Sequence, residues 1–230
     1  MRRFPHFSQP RSSRYSSFYD IVYQMYEPYT LIDREYYVDN LSIVDHFSTF
    51  FSGDIVECGT WKGGMACGMM AVCGSGKKYH FFDSFEGLPP PRDIDGGAAM
   101  SLHQKPYYYN NNRADYDEFC QLVYAQSVPR ENISIYKGWF SDTLRQYSGG
   151  PISVLRLDGD WYDSTMQCLR GLWDLVEPGG VVIIDDYIAF SGCSRAVHDF
   201  LSSISSISRI SRTPRTEVAY IWKCDGAYAP

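Results

Sequence analysis

No C-x-x-C pair occurs in this chain, although it carries seven cysteines. Its five histidines and the cysteines never form a set with zinc-ligand spacing, which argues against a zinc site. The cysteine count is odd, and Cys58, Cys67, Cys73, Cys168 and Cys193 lie in apolar or helical contexts. They read as buried reduced thiols rather than a disulfide framework, and hence as those of a cytoplasmic protein. No apolar run approaches the roughly 20 residues of a membrane helix. Met1 to Ser17 lacks the apolar core of a secretory signal. That segment is rich in Arg, Ser and aromatics and reads as a flexible arm, with an organellar transit peptide left open by composition. Basic residues are outnumbered, 21 Lys and Arg against 27 Asp and Glu, for a net charge of −6. This balance argues against a general binder of nucleic acid or of an anionic membrane. There is no internal repeat.

What remains is enough for one large α/β domain: 230 residues, 44% of them apolar. Aromatics are abundant at 16%, with 19 tyrosines. Tyrosine combines flat apolar area with a hydroxyl, so the excess fits a pocket or interface that handles polar organic molecules. A homodimer is compatible with it.

The pattern predicts a doubly wound, mostly parallel sheet with an antiparallel hairpin at its C-terminal edge. Residues 1–50 read as an arm and two helices, broken at Glu27-Pro28-Tyr29-Thr30, that form a lid; residues 51–230 read as the main domain. Strands are expected at 53–58, 79–82, 133–136, 152–157, 181–184 and 217–223, and helices at 65–73, 116–126, 164–175 and 195–204. Glu177-Pro178-Gly179-Gly180 reads as a turn. The serine-rich stretch 202–211 looks low in complexity, with isoleucines at 204, 207 and 210 that can pack one face. Residues 88–115 hold Pro89-Pro90-Pro91, Gly96-Gly97 and the run Tyr107 to Asn112, and read as an irregular, lid-like insertion.

Two features carry chemistry. Apolar runs lead directly into Asp158 and into Asp185-Asp186. Buried parallel strands place such residues along one sheet edge, where α/β folds bind ligands. Clustered carboxylates repel unless a cation lies between them, so a hard divalent ion fits; solvated loop aspartates are the alternative. The second feature is Glu57-Cys58-Gly59-Thr60-Trp61-Lys62-Gly63-Gly64 between a strand and a helix. Its E-x-G-x-x-x-G-G spacing is not the G-x-G-x-x-G of dinucleotide folds. An acid at the strand tip suits an amine or sulfonium better than a pyrophosphate. Asp83, ending the second strand, is placed to accept hydrogen bonds from a ribose diol. A tight structural turn is the alternative.

Together these features resemble the class I S-adenosylmethionine-dependent methyltransferases, a resemblance that implies a Rossmann-like, seven-stranded sheet. At finer grain the chain is similar to the macrocin O-methyltransferase family, which methylates sugar hydroxyls in antibiotic biosynthesis. The resemblance runs from about Tyr29 to Lys223. It rests on Tyr29-Thr30, the segment Val56 to Gly64, Asp83-Ser84-Phe85-Glu86-Gly87-Leu88-Pro89, Gly138-Trp139-Phe140-Ser141-Asp142-Thr143-Leu144, Leu157-Asp158-Gly159-Asp160-Trp161-Tyr162, and Ile184-Asp185-Asp186-Tyr187. It implies Mg²⁺ on Asp158, Asp185 and Asp186, and a general base at Asp160. It implies S-adenosylmethionine contacts at Thr30, Glu57, Gly59, Thr60, Trp61, Gly63, Gly64, Asp83, Ser84, Phe85 and Asp158, with Gly138, Trp139 and Phe140 near the adenine.

Such chemistry fits these residues. An alcohol is a weak nucleophile, and a bound cation lowers its pKa and orients it. Three carboxylates on Mg²⁺ leave room for the two oxygens of a vicinal diol, so the expected partner is a small hydroxyl acceptor, a glycoside or other diol. Asp160 is placed to accept the proton, or alternatively to cap the following helix. Trp61, Phe85, Trp139 and Trp161 either contact the cofactor or simply pack. His103 and His198 read as hydrogen-bonded surface or core residues, and Arg195 is a candidate partner for a carboxylate of the site. Two rivals stay open: a nucleotide-sugar glycosyltransferase using Asp158-Gly159-Asp160 as a D-x-D motif, and a non-catalytic binding protein with a relict pocket.

Overall fold

The computed structural model describes residues 13–105 and 112–224. The arm before Ser13 and most of the Tyr and Asn run lie outside the described residues. Along the chain come α1 (Ser13–Tyr26), α2 (Arg34–Phe50), β1 (Asp54–Cys58), α3 (Gly64–Cys73), β2 (Tyr79–Asp83), α4 (Gly96–His103), α5 (Tyr116–Tyr124), β3 (Ile133–Lys137), α6 (Phe140–Thr143), β4 (Ile152–Leu157), α7 (Tyr162–Leu172), β5 (Val176–Ile184), α8 (Ser191–Ser203), β6 (Arg209–Arg212) and β7 (Ala219–Trp222). Among these residues no helix is long and apolar enough to cross a membrane.

The strands form one seven-stranded sheet in the order β3-β2-β1-β4-β5-β7-β6. The first five are parallel; β7 runs antiparallel to β5, and β6 to β7. Side chains on a strand alternate between faces. Ile55, Phe81, Val154, Val181 and Ile183 therefore join one core with α1, α2, α3 and α5. Val56, Phe82, Leu155, Val182 and Ile184 join the other with α7 and α8. Burial on both faces explains why these strands read as near-continuous apolar runs.

Two local readings change. Residues 177–180 are not a separate turn, because β5 begins at Val176. Val176 pairs with Ile152 and Val181 with Val154, so the intervening residues bulge against the single Ser153. Gly179 N–H still donates to Lys223 O at 2.8 Å, and Lys223 N–H to Gly180 O at 2.9 Å, so β7 satisfies the bulged backbone. The insertion after Leu88 is not wholly irregular either. Asp95 is buried, and its carboxylate accepts from Arg92 N–H and Tyr162 N–H, both at 2.7 Å, which ties the start of α4 to the start of α7.

One buried network lies at the amino-terminal edge of the sheet. Asp54 Oδ2 accepts from Gly150 N–H at 2.7 Å and Tyr147 O–H at 3.3 Å, and lies 3.1 Å from His80 Nε2. Burial pushes this carboxyl up, but the His80 bond and charge, the Gly150 N–H and Tyr147 outweigh it and hold it below the ordinary value. A depressed carboxyl stabilises the fold above its unfolded pKa, and that stability is lost as pH falls through the folded pKa. Asp54→Asn is therefore expected to show a shallower fall in melting temperature between about pH 5 and 3 than the parent. Parallel acid limbs for the two proteins would remove this assignment.

Candidate functional site

β1 and β4 lie side by side where the strand order reverses, and parallel register aligns their ends: Cys58 pairs with Leu157, and Leu157 with Ile184. Gly59, Asp158 and Asp185 thus leave the sheet together at its switch point. Gly59 has φ 88°, and a Cβ there would sit on the Asp158 carbonyl oxygen. A side chain at 59 would push the glycine turn off β4.

A cavity of about 500 Å³ opens at this edge. Thr30, Gly59, Thr60, Trp61, Asp83 and Ser84 line it, as do Gly138, Trp139 and Phe140, and the aspartates 158, 160, 185 and 186. Asp158, Asp160 and Asp186 each offer an oxygen within 4.8 Å of the others'. Asp160 N–H donates to Asp186 Oδ2 at 3.0 Å, and Asp160 has φ 57°, a conformation that Asp and Asn tolerate better than other side chains. Burial raises the Asp186 carboxyl well above its usual value, and Asp160, Asp158 and Asp185 raise it further. Burial likewise lifts Asp158, to about 6, against the pull of Arg156. A crowded set of hard oxygen donors held in this way fits Mg²⁺ or a similar ion.

Arg156 lies within the otherwise apolar β4, yet it sits at the centre of the site. It is completely buried, with Nη1 2.9 Å from both Glu57 Oε1 and Asp158 Oδ2, and Nη2 2.6 Å from Asp185 Oδ1. The Asp185 contact is an ion pair without hydrogen-bond geometry, since Nη2 has no hydrogen-bond partner. Asn40 of α2 completes the group, accepting from Arg156 Nε at 3.2 Å and donating to Asp185 Oδ1 at 3.3 Å. Burial alone would lower the Arg156 pKa, but Asp185, Asp158 and Glu57 raise it well above normal. The signal available in sequence was a charged residue inside a strand buried on both faces.

Other expected cofactor residues divide. Glu57 is completely buried, with Oε1 on Arg156 and Oε2 without a hydrogen-bond partner; burial lifts its carboxyl to about 8 in spite of Arg156. Asp83 is already occupied by backbone: Oδ2 accepts from Thr60 N–H at 2.7 Å and Trp61 N–H at 2.9 Å, and Oδ1 from Phe85 N–H at 2.6 Å. It pins the glycine turn to the tip of β2. Phe85 does not line the cavity; with φ 60° its ring turns inward onto Tyr116 and Phe119, at centroid distances of 5.2 and 5.1 Å. Gly63 and Gly64 also lie outside the lining. A Cβ on Gly64 would meet the backbone of Tyr29, so this glycine lets the Tyr29-Thr30 turn close over α3. Trp161 packs, donating from Nε1 to Pro89 O at 2.8 Å and lying edge-on to Phe190, whereas Trp139 is partly exposed at the cavity. Asp83→Ala would leave three backbone donors without their acceptor, at about 1–3 kcal/mol for each that stays buried. Its expected result is a lower melting temperature; an unchanged one in a thermal scan would refute this role.

This doubly wound sheet, with its antiparallel end and switch-point cavity, is the fold of the class I methyltransferases. It superposes on the O-methyltransferase NovP with a TM-score of 0.71 at 26% identity, covering 85% of this chain and 82% of that one. The macrocin-O-methyltransferase (TylF) family model matches residues 29–219, and the chain belongs to that family. It is 34% identical over 162 residues to the 8-demethyl-8-(2,3-dimethoxy-alpha-L-rhamnosyl)-tetracenomycin-C 4'-O-methyltransferase of Streptomyces olivaceus, covering 64% of this chain and 58% of that protein. It is also 34% identical over 167 residues to the mycinamicin III 3''-O-methyltransferase of Micromonospora griseorubida, covering 64% and 60%. The chain thus spans less than two thirds of the length of these relatives.

Proposed function

We propose that this chain transfers the methyl group of S-adenosylmethionine to a hydroxyl of a small glycoside or similar vicinal diol, with the help of a hard divalent cation. The observation that carries this reading is a single cavity lined both by the glycine turn and by the strand-end aspartates. Family membership supports methyl transfer over glycosyl transfer, and the relatives named above are O-methyltransferases, one of them of a rhamnosyl-tetracenomycin. The anionic lining suits a cofactor bearing a sulfonium and an ammonium, and the Trp139 ring offers a flat surface to a base.

In this reading Asp158, Asp185 and Asp186 hold the cation. Once bound, it would supply a Lewis acid that lowers the pKa of the acceptor hydroxyl. The Asp160 carboxylate takes the proton from that hydroxyl, and its closeness to Asp158 and Asp186 supports such reach. Arg156 offsets part of the negative charge of the site before the cation arrives. The Asp158-Asp160-Asp186 triangle favours a second reading, in which Asp160 is a ligand and Asp185 stays on Arg156.

The experiment is a methyl-transfer screen read by product mass, with S-adenosylmethionine, Mg²⁺ and a panel of glycosides, catechols and simple polyols. Methylated glycosides are the expected result. Methylation of catechols alone would overturn the acceptor class. A protein that binds a nucleoside diphosphate but not S-adenosylhomocysteine would return the reading to glycosyl transfer.

A further inference from the structure

We infer that Arg156, set by Asn40, is the positioning residue of the carboxylate site: it orients Asp158 and Asp185 toward the cavity and couples them to α2 and β1. This rests on the proposed cation site. The placement follows from strand periodicity. Glu57 and Arg156 are register partners on neighbouring strands, on the face that α2 covers. Asp158, two residues after Arg156, returns to that face at the strand tip. A guanidinium is a rigid planar fork, so one group can fix several carboxylates at set angles, as a lysine ammonium cannot. Here the fork has three carboxyl partners, from the ends of β1, β4 and β5. Asn40 holds the fourth side, with its carbonyl on Nε and its amide on Asp185 Oδ1.

The arrangement is more than a buried ion pair. Arg156 and Glu57 have no exposed surface, whereas Asp158 and Asp185 keep 28% and 19% of their side-chain exposure. The guanidinium and Glu57 are therefore buried while the two strand-end acids still reach the cavity. Removing a charged buried partner is costly, and retaining an unneeded one gains little. A group held among three acids, with Glu57 Oε2 left without a hydrogen bond, is better accounted for by orientation than by stability. Groups that orient metal ligands from behind in this way typically change metal affinity by about 10–100-fold when altered.

The test uses Mn²⁺ as a paramagnetic probe, its free concentration read by electron paramagnetic resonance, in the full chain and in Arg156→Lys, Asn40→Leu and Asp186→Asn. Thermal melting checks folding, and calorimetry with S-adenosylhomocysteine reads the cofactor pocket. Both Arg156→Lys and Asn40→Leu should weaken Mn²⁺ binding by about 10–100-fold while S-adenosylhomocysteine affinity changes much less. A folded variant of either kind that binds Mn²⁺ as the parent does would overturn the positioning role. Failure of both to fold would also overturn it, since the group would then be a folding element. If the parent binds no Mn²⁺, or Asp186→Asn binds it unchanged, the proposed cation site itself falls and the inference with it.

Discussion

Asp160→Asn is expected to lower kcat by about 10²–10⁴, the usual range for loss of a general base, while leaving cofactor and metal affinity close to the parent's. The substitution is a clean one for a structural reason. Asp160 has φ 57°, which Asn adopts readily, and its backbone N–H rather than its side chain makes the 3.0 Å bond to Asp186. The loop should therefore persist. Excess Mg²⁺ should not restore the rate. Steady-state kinetics across a Mg²⁺ series, paired with S-adenosylhomocysteine calorimetry, checks this. Recovery at high Mg²⁺ would instead make Asp160 a ligand, as the carboxylate triangle allows.

The converse behaviour is expected of Asp186→Asn. Loss of one charged donor should weaken metal affinity by about ten-fold or more, the order of a charge-assisted contact of roughly 1.5–3 kcal/mol. Activity should fall at low Mg²⁺ and recover in part at high Mg²⁺. Asp186 also receives the Asp160 N–H, so recovery should be incomplete, because an amide oxygen is a weaker acceptor than a carboxylate. A rate insensitive to Mg²⁺ in this variant would remove Asp186 from the ligand set.

The fold was largely legible because parallel strands buried on both faces advertise themselves as apolar runs. Asp158, Asp185 and Asp186 could be placed at one edge because each follows such a run directly. Legibility failed where tertiary partners override local signals. Pro178-Gly179-Gly180 is turn chemistry by composition, yet the β7 backbone draws it into β5. Gly96 and Gly97 weaken a helix, yet Asp95 anchors α4 by accepting from Tyr162 N–H. The serine-rich stretch hides β6, whose pairing with β7 is non-local. In the site, strand-tip position and the family resemblance pointed to ligand contacts for Asp83 and Phe85; backbone geometry adds the turn that Asp83 pins and the inward rotation of Phe85. Asn40 left no trace, since a helical Asn becomes informative only when its partner on β4 is known.

The most direct measurement is methyl transfer by protein stripped with a chelator and verified metal-free by elemental analysis. A glycoside bearing a vicinal diol serves as acceptor, with S-adenosylmethionine in excess. S-adenosylhomocysteine is expected to bind still, methylated product to be absent, and added Mg²⁺ to restore transfer. Full transfer by the verified metal-free protein would contradict it.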